Sequence, residues 1–224
     1  MVLTTAEKYL LLTERIGKKP MLRTRFTSQS YFVLAAFLDL VAEHTIQLKE
    51  GNQVTFDKTA KLPDYLSVFV KQLTEALTQD RDLESALKPI TSWDIANQIY
   101  DGIGNGLYLI SNIPNTTCCS SDLVIFQNNL KPHVIYEPTE QARVATRTWL
   151  VDSISTNSNV AALNLFAILR QMDGLKWVVT DEQTRTDLDK KVTRNSDFRL
   201  IQKITEVAAE VITQKRFWLD SWLS

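Results

Sequence analysis

The sequence predicts a mainly α fold: a single compact helical domain, residues 1–224, around a buried central helix, with one short and one long β-hairpin. Six Gly and six Pro in 224 residues are few for a turn-rich β protein. Residues 31–42 contain one charged residue, Asp39, and a helix that is apolar on all sides has to be surrounded by protein. No Pro-, Gly- or Ser-rich linker divides the chain, which favours one domain.

The first elements precede this central helix. Thr4 or Thr5 can cap an opening helix that ends near Gly17. A loop at 18–25 follows, and its four positive charges make it the densest basic segment of the chain. These are Lys18, Lys19, Arg23 and Arg25. The loop is either a solvated connection or a contact for an anion.

The middle of the chain combines the short hairpin with three helices. Residues 46–48 and 54–56 alternate apolar and polar side chains around a turn that contains Gly, which predicts the hairpin. Pro63 fits the first turn of a helix to about 79, and a short helix covers 83–87. The next helix begins near Trp93, and glycines 102–106 are expected to end it.

A longer hairpin is predicted over 107–136. Its strands are 107–110, 123–126 and 134–136, which are rich in β-branched and aromatic residues, with an irregular tip at 112–122. Apolar side chains near this tip are expected to contact a membrane or another subunit. They are Leu107, Leu109, Ile110 and Ile113.

From Pro138 onward the pattern is helical. Asn157 or Ser158 is expected to cap an almost wholly apolar helix over 160–169. The last helix starts near Ser196 and has seven inward-facing positions, Leu200, Ile201, Ile204, Val207, Ala208, Val211 and Ile212. It ends in the aromatic residues Phe217, Trp218 and Trp222, which belong either to a membrane interface or to the core, and we expect the core.

Composition and motifs exclude several classes of function. The 25 basic and 26 acidic residues disfavour a nucleic-acid partner. No stretch has the roughly 18 to 20 apolar residues of a membrane-spanning helix, and the first residues do not resemble a signal peptide. Cys118 and Cys119 are adjacent and badly placed for a mutual disulfide, which fits a reducing compartment. We therefore expect a cytoplasmic location.

The residues give no enzyme signature. His44 and His133 lack ligand-spaced neighbours, and glycines 102–106 follow a helix where a phosphate-binding loop would follow a strand. We expect no catalytic residue, no metal and no cofactor. Asp39 stands out, because a carboxylate in an apolar helix needs a partner or loses its charge. It is either a site residue or a structural group bonded to nearby backbone or hydroxyl groups, and we expect the latter.

With these elements placed, the sequence resembles the Golgi phosphoprotein 3 family and its bacterial relatives. Five stretches carry the resemblance, namely 3–12, 38–48, the pairs Ser92-Trp93 and Gly106-Leu107, and 143–179. The resemblance implies a cytosolic, non-enzymatic helical protein that docks peripherally on membranes and binds an anionic phospholipid or a phosphoinositide such as phosphatidylinositol 4-phosphate. It also implies that the long hairpin contacts the membrane or joins subunits of a homo-oligomer.

We accordingly expect Lys18, Lys19, Arg23 and Arg25 to bind the lipid headgroup, because fixed guanidinium groups grip phosphate while apolar side chains enter the interface. The alternative is an adaptor that binds a protein partner on the same scaffold and has lost the lipid pocket. Eukaryotic members have a tryptophan and an arginine at about the places of Thr24 and Val33, and residues 93–106 contain no Lys or Arg.

Overall fold

The structure is a computed structural model that describes residues 4–14, 25–111, 119–125, 132–156 and 159–223. Within these ranges, residues 108–111, 119–125, 132–134, 220, 222 and 223 are described by their backbone. The described residues form ten α-helices: α1 (Thr4–Thr13), α2 (Phe26–Ala42), α3 (Ser67–Gln79), α4 (Leu83–Leu87), α5 (Trp93–Ser111), α6 (Glu140–Ser155), α7 (Val160–Gln171), α8 (Leu175–Val178), α9 (Glu182–Val192) and α10 (Ser196–Leu223). They also form four strands: β1 (Ile46–Leu48), β2 (Val54–Phe56), β3 (Cys119–Ile125) and β4 (Pro132–Pro138). The prediction of a mainly α protein is confirmed.

Helix α2 is buried from Ser28 to Leu40. It packs against α1, α5, α7 and α10, and its neighbour α7 is buried from Ala161 to Leu169. Two helices that are apolar on all sides can exclude water only when other helices cover them, and the buried apolar residues accordingly form a contiguous cluster.

Helix α5 corrects the sequence prediction. The glycines at 102–106 lie inside this helix, which continues to Ser111, so residues 107–110 are helical and the predicted strand there is wrong. Two aromatic rings explain Gly102 and Gly104, because a Cβ atom at Gly102 would overlap the ring of Tyr65 and one at Gly104 would overlap the ring of Tyr136. The glycines allow close packing here and do not end the helix.

Both observed hairpins are antiparallel. Ile46 pairs with Phe56 in β1–β2, and Cys119 pairs with Pro138 in β3–β4. Strand β3 therefore begins at Cys119, inside the segment predicted as an irregular tip, whereas residues 112–118 and 126–131 lie outside the described residues. Leu107, expected at the hairpin surface, is instead a buried residue of α5.

Helix α10 begins at Ser196, as its sequence predicts. Leu200 was expected to face inward, but its side chain is exposed, whereas Ile201, Ile204, Ala208, Val211 and Ile212 are buried. The core interpretation of the terminal aromatic residues is wrong for Phe217 and Trp218, whose side chains are exposed. The side chain of Trp222 lies outside the described residues.

The starts of α6, α7 and α9 are capped by side chains from their own segments. The side chains of Thr139, Asn159 and Asp181 accept backbone hydrogen bonds from Ala142, Ala161 and Thr184 over 3.1, 2.9 and 2.6 Å. Asn159 thus takes the role predicted for Asn157 or Ser158, which lie outside the described residues. At the start of the chain, Thr4 and Thr5 lie within α1, whose cap comes from a distant residue.

Candidate functional site

Arg25 is the member of the predicted headgroup site that the structure describes. Its side chain is exposed and it precedes the first residue of α2 in an extended conformation. Arg25 supplies no side-chain hydrogen bond to the helix start, and the first turn of α2 contains no acidic residue. The positive end of the helix dipole therefore adds to the charge of the guanidinium group. Lys18, Lys19 and Arg23 lie outside the described residues.

Two aromatic rings lie beside Arg25. The ring centroid of Phe26 is 6.3 Å from that of Trp93, which begins α5. Phe26 is half-buried, and Trp93 is 42% exposed. This pair joins the starts of α2 and α5, so the exposed arginine and the exposed indole lie at the same end of these two helices.

A groove adjoins this end of the molecule. It has a volume of about 790 Å³ and lies between α3, the segment 88–92 and the last part of α10. Ser92, which precedes Trp93, lines one side, and Trp218 lines the other. Its charged lining residues are Glu75, Lys88 and Lys215. The groove thus connects the region of the aromatic pair with the end of α10.

Asp39 is a structural cap. Its Oδ1 accepts the backbone N–H of Thr5 at 2.9 Å and its Oδ2 accepts that of Ala6 at 3.1 Å. Both donors belong to the first turn of α1, where helical N–H groups lack intrahelical partners. Burial raises the pKa of Asp39 to about 6, although its hydrogen bonds to Thr5 and Ala6 act in the opposite direction. Asp39 thereby joins α2 to the start of α1, in line with the structural interpretation of this residue.

Arg143, on α6, holds the other end of α1. Its buried guanidinium group donates to the carbonyl oxygens of Leu11 and Leu12 at 3.4 Å and to that of Glu14. Burial lowers the pKa of Arg143. These carbonyls form the negative end of the helix dipole, where a cation is favourable. These partners are about 130 residues away in sequence and cannot be inferred from spacing.

Of the residues predicted for the membrane or subunit contact, Leu107 is the one whose side chain the structure describes. Leu107 is buried in α5, and the backbones of Leu109 and Ile110 belong to the last turns of that helix. Ile113 lies outside the described residues. Leu107 therefore cannot contact a membrane or another subunit, because its side chain packs in the core.

The described residues contain no group of three His, Cys, Asp or Glu side chains that could hold a metal ion. His44 is exposed in a turn between α2 and β1, with a positive φ of 58°, a conformation in which His is enriched. Among the helices that the structure describes, none combines the length and apolar character needed to cross a membrane. The chain matches no family model, no curated protein and no solved structure.

Proposed function

We propose that this protein is a non-enzymatic peripheral membrane protein that binds anionic lipid headgroups through Lys18, Lys19, Arg23 and Arg25. The observation that carries the proposal is the position of Arg25, which is exposed at the start of α2 beside a partly exposed aromatic pair. In the sequence, the basic segment 18–25 ends at this arginine, so its other three charges precede the start of α2 by a few residues.

The chemistry of this end suits a phosphate headgroup. Guanidinium groups donate two parallel hydrogen bonds to phosphate oxygens, and a helix start favours negative charge. Indole rings occupy the headgroup region of bilayers because they combine an apolar body with a polar edge. Stable peripheral binding takes two signals, and basic residues with an exposed Trp93 supply one of each kind.

The finer architecture belongs to the same proposal. A buried helix that runs into a short hairpin, and a helix opened by Ser92-Trp93, are the features in which the sequence resembles the Golgi phosphoprotein 3 family. On this basis, the ligand is a phosphoinositide such as phosphatidylinositol 4-phosphate, the central element is α2, and the β3–β4 hairpin is a second contact with the membrane or with another copy of the chain. The location is cytoplasmic and peripheral to the membrane.

The groove between α3 and α10 favours a second candidate, an adaptor that binds a protein partner. Side chains from α3 and α10 line its two sides, and Trp218 provides an aromatic contact of the kind enriched in protein interfaces. An adaptor would form a discrete complex with its protein partner and would not sediment with vesicles.

Vesicle co-sedimentation tests the proposal. Phosphatidylcholine vesicles are compared with vesicles that also contain phosphatidylserine or phosphatidylinositol 4-phosphate, for the unaltered protein and for the variant K18A/K19A/R23A/R25A. We expect anionic lipid to increase the bound fraction, the variant to lose this increase, and higher salt to weaken binding, because the contact is electrostatic.

The matched control is K190A/K191A/R194A/R199A, which removes two lysines and two arginines from exposed positions on α9, the following turn and α10. We expect this control to bind like the unaltered protein. Equal losses of binding in the two variants would show that binding depends on the net charge of the protein and not on the basic loop. Binding that does not depend on anionic lipid would reject the proposal.

A further inference from the structure

The end of α10 extends beyond the packed body of the protein. Among the side chains of this helix that the structure describes, the last buried ones are Val211 and Ile212, and side chains 213–218 are all exposed. Residues 213–223, which we name the C-terminal tip, are helical and span about 16 Å at 1.5 Å per residue. The tip is thus a regular helix end that is mostly free of the core.

The tip carries the two most exposed large apolar side chains recorded for the described residues. Phe217 is 73% exposed and Trp218 is 65% exposed. Because consecutive residues point about 100° apart around a helix, these two rings form one broad apolar face on the tip. A helix with one such exposed face, next to basic residues, can lie in the interface of a membrane.

Charge also points to an anionic surface. Lys215 and Arg216 are exposed and directly precede Phe217 and Trp218. Basic residues next to aromatic ones are typical of segments that lie in the interface of a membrane containing anionic lipid, because the aromatic rings enter the headgroup layer while the long basic side chains reach the phosphates.

The tip lies at the end of the molecule that carries Arg25. Trp218 lines the same groove as Ser92, and Ser92 precedes Trp93, whose ring packs against Phe26. A membrane that Arg25 contacts is therefore within reach of the tip. The two elements supply the electrostatic and apolar contributions that reversible membrane anchoring requires.

We propose that the C-terminal tip inserts Phe217 and Trp218 into the interface of an anionic membrane and is the apolar anchor of this protein. The inference rests on the proposed function for the identity of the surface. It goes beyond the proposed function because it assigns membrane contact to different residues: neither the basic loop nor the β3–β4 hairpin is part of the tip.

The test compares F217A/W218A with W177A in co-sedimentation with phosphatidylcholine vesicles, with and without phosphatidylserine. Trp177 lies on α8 and is 41% exposed, so its replacement also removes a partly exposed indole, but far along the chain from the tip. We expect F217A/W218A to weaken binding at least about tenfold, because two large rings lose their apolar contact, and W177A to leave it unchanged. Circular dichroism is expected to show the same helix content in all three proteins, since Phe217 and Trp218 are outside the core.

Quenching by brominated phosphatidylcholine gives a readout of insertion. Bromine atoms placed near the headgroup quench the fluorescence of indoles that enter the interface. We expect the unaltered protein to be quenched more strongly than W218F, which keeps an aromatic ring at this position but removes the indole. Equal quenching in the two proteins would place Trp218 outside the membrane and overturn the inference.

The outcomes separate the inference from the proposed function. Binding that depends on anionic lipid and on the basic loop, but not on Phe217 and Trp218, would overturn the inference alone. Binding that depends on the tip but is indifferent to anionic lipid would support insertion of the tip, reject the proposed headgroup contact and overturn the assignment of the surface as anionic. If F217A/W218A changes only the sedimentation coefficient of the protein and not its vesicle binding, the tip is a protein interface and the inference fails.

Discussion

Asp39 shows what a carboxylate does inside an apolar helix. It accepts two backbone N–H groups of α1, yet its pKa rises to about 6 from an ordinary value of 3.8, because the loss of hydration outweighs these hydrogen bonds. The folded protein therefore binds a proton at Asp39 more tightly than the unfolded chain does. The free energy of unfolding consequently falls as the pH rises from about 4 to about 6.

This gives a pH prediction for D39N, which removes the titrating group and keeps one carbonyl acceptor for α1. The difference in unfolding free energy between the unaltered protein and D39N is expected to decrease by about 2 kcal/mol between pH 4 and pH 7, since about two pKa units separate the folded and unfolded states and the unfolded carboxylate is already largely ionised at pH 4. Urea unfolding at several pH values measures it. D152N, at an exposed position on α6, is the control, and parallel curves for D39N and the unaltered protein would contradict the prediction.

At the scale of elements, α5 shows how packing overrides local preference. Gly costs about 1 kcal/mol relative to Ala inside a helix, and three glycines within five residues read as a helix end. The rings of Tyr65 and Tyr136 fill the space next to Gly102 and Gly104, and the hydroxyl of Tyr136 donates to Asn105 at 2.6 Å. These contacts come from residues distant in sequence, so a local pattern cannot reveal them.

Two glycines of α5 provide a matched pair of substitutions. G104A is expected to destabilise the protein by about 1 to 3 kcal/mol, because its methyl group would overlap the ring of Tyr136. G106A is expected to be neutral or to stabilise by up to about 1 kcal/mol, because nothing lies within 4 Å of its added Cβ and Ala favours the helix. Thermal and urea unfolding measure the stability change of each variant, and equal changes for G104A and G106A would refute the packing argument.

The helices that the sequence predicted well have strong local signals. The apolar composition of α2 and the three-and-four spacing of α3 mark these elements. Helix α3 ends at Gln79 as predicted, but it begins at Ser67, after a 3₁₀ turn at Asp64–Leu66 that Pro63 precedes. The predictions that were wrong concern side-chain burial, which depends on how the rest of the chain packs. Phe217 and Trp218 are as hydrophobic as core residues, and only the position of the end of α10 relative to the body decides their exposure.

At the scale of the whole molecule, α1 is held at both ends by side chains from other helices. Asp39 binds its first N–H groups and Arg143 binds its last carbonyl groups. Each charge is also opposite in sign to the nearer end of the helix dipole, which is favourable. Neither partner could be paired with α1 from the sequence, because sequence separations of 33, 34 and about 130 residues leave no spacing rule to apply.

R143M tests this arrangement, because methionine keeps much of the apolar stem and removes the five donors. The variant is expected to lose about 1 to 3 kcal/mol of stability, since buried carbonyl groups of α1 lose their hydrogen bonds. The measurement is urea unfolding, and R194M, at an exposed position after α9, is the control. Similar values for R143M and R194M would show that Arg143 does not hold α1.

The attachment of α1 has a consequence for biosynthesis. This helix is translated before the helices that hold it, but a helix of 10 residues is marginal alone in water. Arg143, which binds the last carbonyl groups of α1, is translated about 130 residues later. Many of the other helices are therefore synthesised before α1 is held at both ends. We expect ribosome-bound fragments that stop before Arg143 to leave residues 4–13 open to proteases, and longer ones to protect them.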